Sequence, residues 1–455
     1  MSNAAKIIVV IYLPWLLSMI VEFDPNISYF AAWLGSFFIF YITIFSSLAP
    51  YKTSENNPLP VMKPLILVQL IFAGFMCCTS IFYFLEHIDS DTTLISQCQR
   101  LSLLAHASLV SGMILKLNPN EYQKNISIRP SMKLILTMCF LSFCFAKLLD
   151  YVPSFIQLKY PLQVLSITST VYVLVKGIAT QKIMYAAIAI SMFSIQFIES
   201  TLTGFKEGII IQILTLIFIS FHYYRSLVLT LGSGIFLIAL YVLPTYTAVF
   251  RKESWINGNS MNSAREQAYQ TFFNEESSQL IFENNWEFLT NRFSEIGMFV
   301  KYIKHTPDHQ NYIGSEILYN SLISIVPRVL WDQKPITEKI AMQRVYDASI
   351  VSNSSNVSAK TRPVVDGYLI AGSTGIFLLM LCYGFVTQIL SNLAEKIFGG
   401  YELGTMIIFN SLFQQLWRGN AMEFLINNII YGMILMFFIQ AMMNGLNVFD
   451  KNSDK

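Results

Sequence analysis

The sequence predicts an all-α, polytopic integral membrane protein of about twelve transmembrane helices, interrupted by one large extramembrane loop. Three observations predict it: the composition, the length of the apolar runs and the placement of the basic residues. Of the 455 residues, 54% are hydrophobic and only 13% are charged, and the mean hydropathy is +0.50. A soluble globular chain carries about 25% charged residues. With half that share, this chain cannot cover a water-facing surface of its size, and lipid is its natural solvent. The net charge of +2 supplies no field that would recruit nucleic acid.

A helix crosses a bilayer with about 20 apolar residues, within a range of about 17–25. Runs that meet this length, or fall slightly short, lie near 5–20, 28–49, 62–86, 101–117, 131–149, 160–176, 180–198, 208–224 and 226–249. Three more lie near 366–388, 397–417 and 423–446. The first is read as a membrane helix and not a removed signal peptide, because no small-residue cleavage site follows it. With the N-terminus in the cytoplasm, the inside loops hold thirteen Lys and Arg, Lys52, Lys116 and Lys176 among them. The short outside loops hold five: Arg100, Lys147, Lys159, Lys206 and Arg418. That bias is the positive-inside pattern, and it expects both termini in the cytoplasm and the loop outside.

Three regions follow: nine helices in 1–249, the loop at 250–365, and three helices with a cytoplasmic tail in 366–455. The six cysteines all fall in or beside apolar segments, so no disulfide framework is expected in the loop. No internal repeat relates the two halves, which argues against a secondary transporter. No phosphate-binding loop or zinc-protease signature is present, and neither a metal nor another cofactor is expected.

The loop carries Phe272, Phe273, Trp286, Phe293, Tyr302 and Trp331. Disordered segments are poor in aromatics because they cannot bury enough apolar area to offset chain entropy. Residues 263–276 and 277–300 read as two helices, the second with Glu283, Glu287 and Glu295 on its wetter face. Residues 315–330 form an apolar stretch ended by Pro327, too short to span, and read as a re-entrant or interfacial helix at the membrane mouth.

Three places carry candidate chemistry. The densest runs from Ile325 to Pro335, where Pro327 and Pro335 bracket Arg328, Trp331 and Lys334 in a rigid hook. Arg offers a planar fork that matches a phosphate, and Lys a compact point charge. The plainer reading is a membrane-interface belt of Trp and basic residues. The second place is the turn from Glu199 to Gly208, where a helix start with Lys206 suits an anion and Glu207 stands beside it. A capped helix start with a surface ion pair explains it equally well. Third, Arg362 and Asp366 enter the span after the loop, where a partly desolvated carboxylate suits a general base. The plainer role for Asp366 is helix capping. Arg292 in the loop is a further candidate cation. His305 and His309 stand four apart, without a third metal ligand.

The hook, Ile325-Val326-Pro327-Arg328-Val329-Leu330-Trp331-Asp332-Gln333-Lys334-Pro335, resembles the IPR-x-LW-x-x-KP segment of bacterial oligosaccharide repeat-unit polymerases of the Wzy type. The basic turn Thr203-Gly204-Phe205-Lys206-Glu207 before the loop is similar to one in that family, as is the glycine spacing after it at Gly367, Gly372, Gly375 and Gly384. The resemblance covers mainly residues 199–385. It implies a GT-C-like, metal-independent glycosyltransferase of the bacterial cytoplasmic membrane. The substrates it implies are oligosaccharides on undecaprenyl diphosphate, joined at the outer face, with a chain-length co-polymerase and a flippase as partners. On that reading Arg328, supported by Lys334, Lys206 and Arg292, meets the diphosphate charge, and Arg362 joins the substrate contacts. Asp366 or Glu207 takes the acceptor proton, and Trp331 stacks on sugar or seats the lipid. The alternatives are an O-antigen-ligase-like enzyme relying on His305 or His309, a flippase or transporter of lipid-linked glycans, and a non-catalytic scaffold.

Overall fold

The structure, a computed structural model, describes residues 3–51, 59–117, 130–152, 155–202, 206–274, 277–327, 330–331, 333–351 and 360–445. Every regular element among them is helical. Seven helices precede the loop as candidate spans: α1 (Asn3–Ile20), α2 (Pro25–Phe45), α3 (Pro64–Glu86), α4 (Thr93–Leu115), α5 (Met132–Tyr151), α6 (Ile156–Ala179) and α7 (Ile183–Ser200). A shorter helix, α8 (Lys206–Tyr223), and a long one, α9 (Arg225–Ser254), follow. The loop holds α10 (Met261–Gln270), α11 (Ser278–Phe288), α12 (Ile296–His305), α13 (Glu316–Ile325) and α14 (Thr337–Asp347). The chain closes with α15 (Pro363–Phe398) and α16 (Met422–Gly445). Ten of these are long and apolar enough to cross a membrane, which defines a multi-pass membrane protein.

The bundle is organised around α4, which is almost wholly buried and lies along α15. Small residues set that contact. A Cβ on Gly384 would stand 2.0 Å from the Leu109 carbonyl oxygen, and one on Gly112 would stand 2.1 Å from that of Leu381. Lipid tails are as apolar as Leu, so no hydrophobic gain draws membrane helices together; close backbone approach at small residues does it instead. On one flank α1 and α2 cover α4, and on the other α5, α7 and α8 pack on α6. Between α4 and α6 the apolar surface is continuous, while α9 leans outward against α10 and α11.

Two elements depart from straight spans. Residues 397–417, expected as one helix, instead form a broken run in which Gly399 and Gly400 at φ 72° and 122° stop α15 and turn the chain. The run then winds widely over Tyr401–Phe409, continues through Asn410–Leu412, breaks at Phe413 and ends with Gln414–Arg418. Hydropathy records composition and not continuity, which is why the breaks escape it. The second departure is in α15. At Gly372 the backbone takes φ 61° and ψ −139°, a conformation open only to glycine. A Cβ on Gly375 would lie 2.1 Å from the Gly367 carbonyl oxygen. In one straight helix those residues would be about 12 Å apart along the axis. Residues 363–371 therefore fold back on the long arm 373–398 as a helical hairpin.

The loop is built onto this hairpin. Ile313 and Gly314 donate their amides to the Leu369 carbonyl at 2.8 and 3.4 Å, beside the break. Tyr368 donates to the Thr306 carbonyl at 2.8 Å. The expected second loop helix, 277–300, is divided at Ser294 in the structure. There the chain turns so that the Glu295 amide reaches the Phe75 carbonyl on α3 at 3.1 Å.

Replacing Gly384 with Leu is expected to cost about 1–3 kcal/mol through overpacking against α4. The same measurement, a thermal midpoint in detergent, should move little for Leu378→Ala, where the side chain is 53% exposed on the outer face. Equal midpoints for the two variants would contradict the close approach of α4 and α15.

Candidate functional site at the loop side of the bundle

The loop-side ends of α15 and α16 meet the loop helix α14 in a buried ionic cluster. Arg344 lies on the α14 face that also carries Ala341, Met342 and Val345 and is buried with them. Its Nη1 donates to Glu423 Oε1 at 2.7 Å and its Nη2 to Glu423 Oε2 at 2.8 Å, a bidentate pairing. The same Nη2 lies 3.6 Å from Asp366 Oδ1. Asp366 is fully buried, and its Oδ2 accepts the Met422 amide at 2.8 Å. Capping is thus part of its work, but for α16 and not for its own helix.

Burial acts against the charge on Arg344, yet Asp366 and Glu423 outweigh it and hold the guanidinium above its ordinary range. Tyr302 on α12 closes the cluster from the loop. Burial pushes its hydroxyl up, and the charge of Asp366 adds to that. The Thr361 hydroxyl faces Asp366. The Tyr302 hydroxyl and Arg344 Nε are buried beside them.

The expected residues are distributed unevenly about this cluster. Arg362 donates to the Gly419 carbonyl at 2.8 Å and pairs with Glu295, so it ties the hairpin to the broken run and to the loop. Lys334 is buried, and its Nζ donates to the carbonyls of Ser324 and Val326, each at 2.8 Å. Ser324 Oγ in turn donates to the Glu423 carbonyl at 2.9 Å, which brings the hook to the edge of the cluster. Trp331 and Leu330, 39% and 79% exposed, point outward from it. Arg292 is exposed, at the end of the wide turn that follows α11. Lys206 and Glu207 open α8, which packs on α6 and α7. Their side chains, and the whole of Arg328, lie outside the described residues. Glu199 from the same turn pairs with Lys147.

Sequence reasoning missed Arg344, Glu423 and Tyr302. A signal existed for the first two: Arg344 is a charge set on an apolar helix stripe, and Glu423 is a carboxylate in the first turn of a span. Neither is stable in such a place without a partner.

Fold and site together define a helical multi-pass membrane protein with a polar cluster at one mouth of the bundle. The chain belongs to the family described as a domain of unknown function, DUF8712, which matches residues 13–451. No curated protein and no solved structure matches it.

Changing Arg344 to Met leaves two buried carboxylates facing each other. It should cost about 3–5 kcal/mol, read as a lower thermal midpoint in detergent. Adding Asp366→Asn and Glu423→Gln removes the stranded charges and should recover most of that loss. An unchanged midpoint for the single variant would show that the cluster does not hold the loop to the bundle.

Proposed function

We propose that this protein polymerises lipid-linked oligosaccharide repeat units at the outer face of a bacterial cytoplasmic membrane. The observation that carries the reading is the neighbourhood of two unlike surfaces. The outward apolar residues of the hook stand at the loop-side end of α16, next to a buried cluster of charged and polar groups. A substrate with a long hydrocarbon tail and a charged, hydroxyl-rich head needs both at once. The resemblance of the hook to repeat-unit polymerases supplies the reaction class.

In the reaction, an acceptor hydroxyl attacks the anomeric carbon of the donor glycan. The glycosyl–phosphate bond breaks, the carrier diphosphate leaves, and the hydroxyl proton goes to a base. Arg328 is assigned to the diphosphate charge, with the exposed Arg292 in support. Asp366 or Glu207 is assigned to the proton, and Trp331 to sugar or lipid. Arg362 and Lys334 are already bonded to the fold, and they shape the site more than they meet the substrate.

A second reading has its own observation. Discontinuous helices inside a bundle are the usual site-forming devices of secondary transporters. The broken run 401–418 is one, and buried pairs Lys63–Glu395 and Lys176–Glu402 stand near its beginning. A flippase of lipid-linked glycans would use such a core.

The test is the surface glycan profile of a deletion strain complemented with wild type or Arg328→Ala at matched protein level. Surface lipid capped by single repeat units is expected from both the deletion and the variant. Loss of one charge partner of the transition state is worth about 10²–10³ in rate. Long polymer stranded on the carrier lipid would point to a ligase instead, and absence of any external product to a flippase.

A further inference from the structure

Helix α13 is amphipathic the wrong way round for a water-facing loop. Its polar residues Asn320, Ser321 and Ser324 are buried against the protein. Ile317 is buried with them, while the large apolar residues Leu318, Tyr319 and Leu322 are outside, the last two at 64% and 59% exposure. The outer row continues past the helix end through Leu330 and Trp331.

Its depth follows from its bonds to α16. The chain starts near the hairpin tip, where Ile313 meets Leu369. It ends where Asn427 Nδ2 donates to the Ser324 carbonyl at 2.8 Å and the Tyr431 hydroxyl to the Ile325 carbonyl at 3.2 Å. Residues 423–431 are the first two to three turns of a span. The end of α13 therefore reaches below the loop-side start of α16, towards the level where α16 exposes Ile434, Phe437 and Phe438.

The helix end is also closed as hydrocarbon requires. The last carbonyls of a helix have no partner within it and are usually left to water. Here Ser324 O is met by Lys334 and Asn427, Ile325 O by Tyr431, and Val326 O by Lys334. Side chains satisfy all three, and the Lys334 charge stands at the negative end of the helix. Non-helical backbone at membrane depth is tolerated only when protein groups satisfy it in this way.

We propose that α13 and the hook are inserted into the bilayer from the loop side, with lipid acyl chains covering the outward face of Leu318, Tyr319, Leu322, Leu330 and Trp331. This wedge is a lipid-contact surface of its own, whatever reaction the protein performs. Lys334 is the residue that makes the insertion tolerable.

The experiment reads solvent and not activity, so its failure and that of the polymerase reading are separable. Cys144 and Cys382, the exposed cysteines, are first changed to Ala. Nitroxide labels are then placed singly at Leu322→Cys and Tyr319→Cys in the full chain, reconstituted in phosphatidylcholine–phosphatidylglycerol vesicles. Collision rates with oxygen, which concentrates in lipid, are compared with those of a water-soluble nickel chelate. Phe437→Cys on α16 serves as the lipid reference and Glu266→Cys on exposed α10 as the water reference. Oxygen should dominate at 322 and 319 as it does at 437. Dominance of the nickel chelate at both, as at 266, would overturn the proposal. Both substitutions lie on an outward face, and elution as a single species verifies that each variant is folded.

Discussion

Hydrocarbon offers no hydrogen bond, and that constraint organises this molecule. A straight helix meets it without help, but two stretches here are not straight, and each is closed by named donors. At the hairpin tip the loop amides of Ile313 and Gly314 reach Leu369 O. Along the broken run, Asn410 Nδ2 donates to Thr405 O at 2.8 Å, Trp417 Nε1 to Asn410 O at 2.9 Å and Asn428 Nδ2 to Leu412 O at 2.9 Å. Tyr383 donates to Leu416 O, and Arg362 closes the run at Gly419. The Asn410 and Asn428 amides and the Trp417 indole are thus committed to carbonyls that a continuous helix would have satisfied itself. The irregular backbone is a built feature, since its partners come from α15 and α16 as well as from the run itself.

The charges follow a related logic. Burying an ion pair rarely adds stability, because desolvation offsets most of the attraction, but breaking one is costly. The described pairs with both side chains mostly buried sit where an irregular element must be held in one place. Arg344–Glu423 joins a loop helix to the start of α16, and Lys63–Glu395 joins the start of α3 to the end of α15. Lys176 and Tyr172 hold Glu402 at the start of the broken run. Their value is positional. A loop of about a hundred residues cannot be fixed to a bundle by apolar contact alone without also gluing to the wrong place, whereas a bidentate pair accepts one geometry.

Much of this was legible in the sequence, and the remainder was hidden for physical reasons. Hydropathy found the spans because bilayer crossing is a property of local composition. That 315–330 holds a short helix ended before Pro327 was readable from its length and from that proline. The hairpin was not. Gly367, Gly372 and Gly375 were visible as spaced glycines, but spacing says nothing of φ, and only the left-handed turn at Gly372 converts it into a fold-back. Asp366 was found, yet its partners were not, because Arg344 lies 22 residues before it and Glu423 lies 57 after it. Single-sequence periodicity cannot see contacts at that range. Lys334 is a candidate phosphate cation in the sequence, and its two carbonyl partners arise only when the hook turns back on α13.

These constraints also decide how the mouth can open. Arg344 touches carboxylates from α15 and α16 together, and Arg362 holds the base of the same hairpin to Glu295 and Gly419. Separating α14 from this joint would strand charges in a poor dielectric, at a cost of several kcal/mol. The hairpin, α14 and the first turn of α16 therefore move as one body. On the other side, α13 presents Leu318, Tyr319 and Leu322 outward and Asn320, Ser321 and Ser324 inward. Sliding that seam would break the hydrogen bonds from Asn427 and Tyr431 of α16 to the Ser324 and Ile325 carbonyls, for which hydrocarbon offers no replacement. The seam between α14 and the hairpin stays shut.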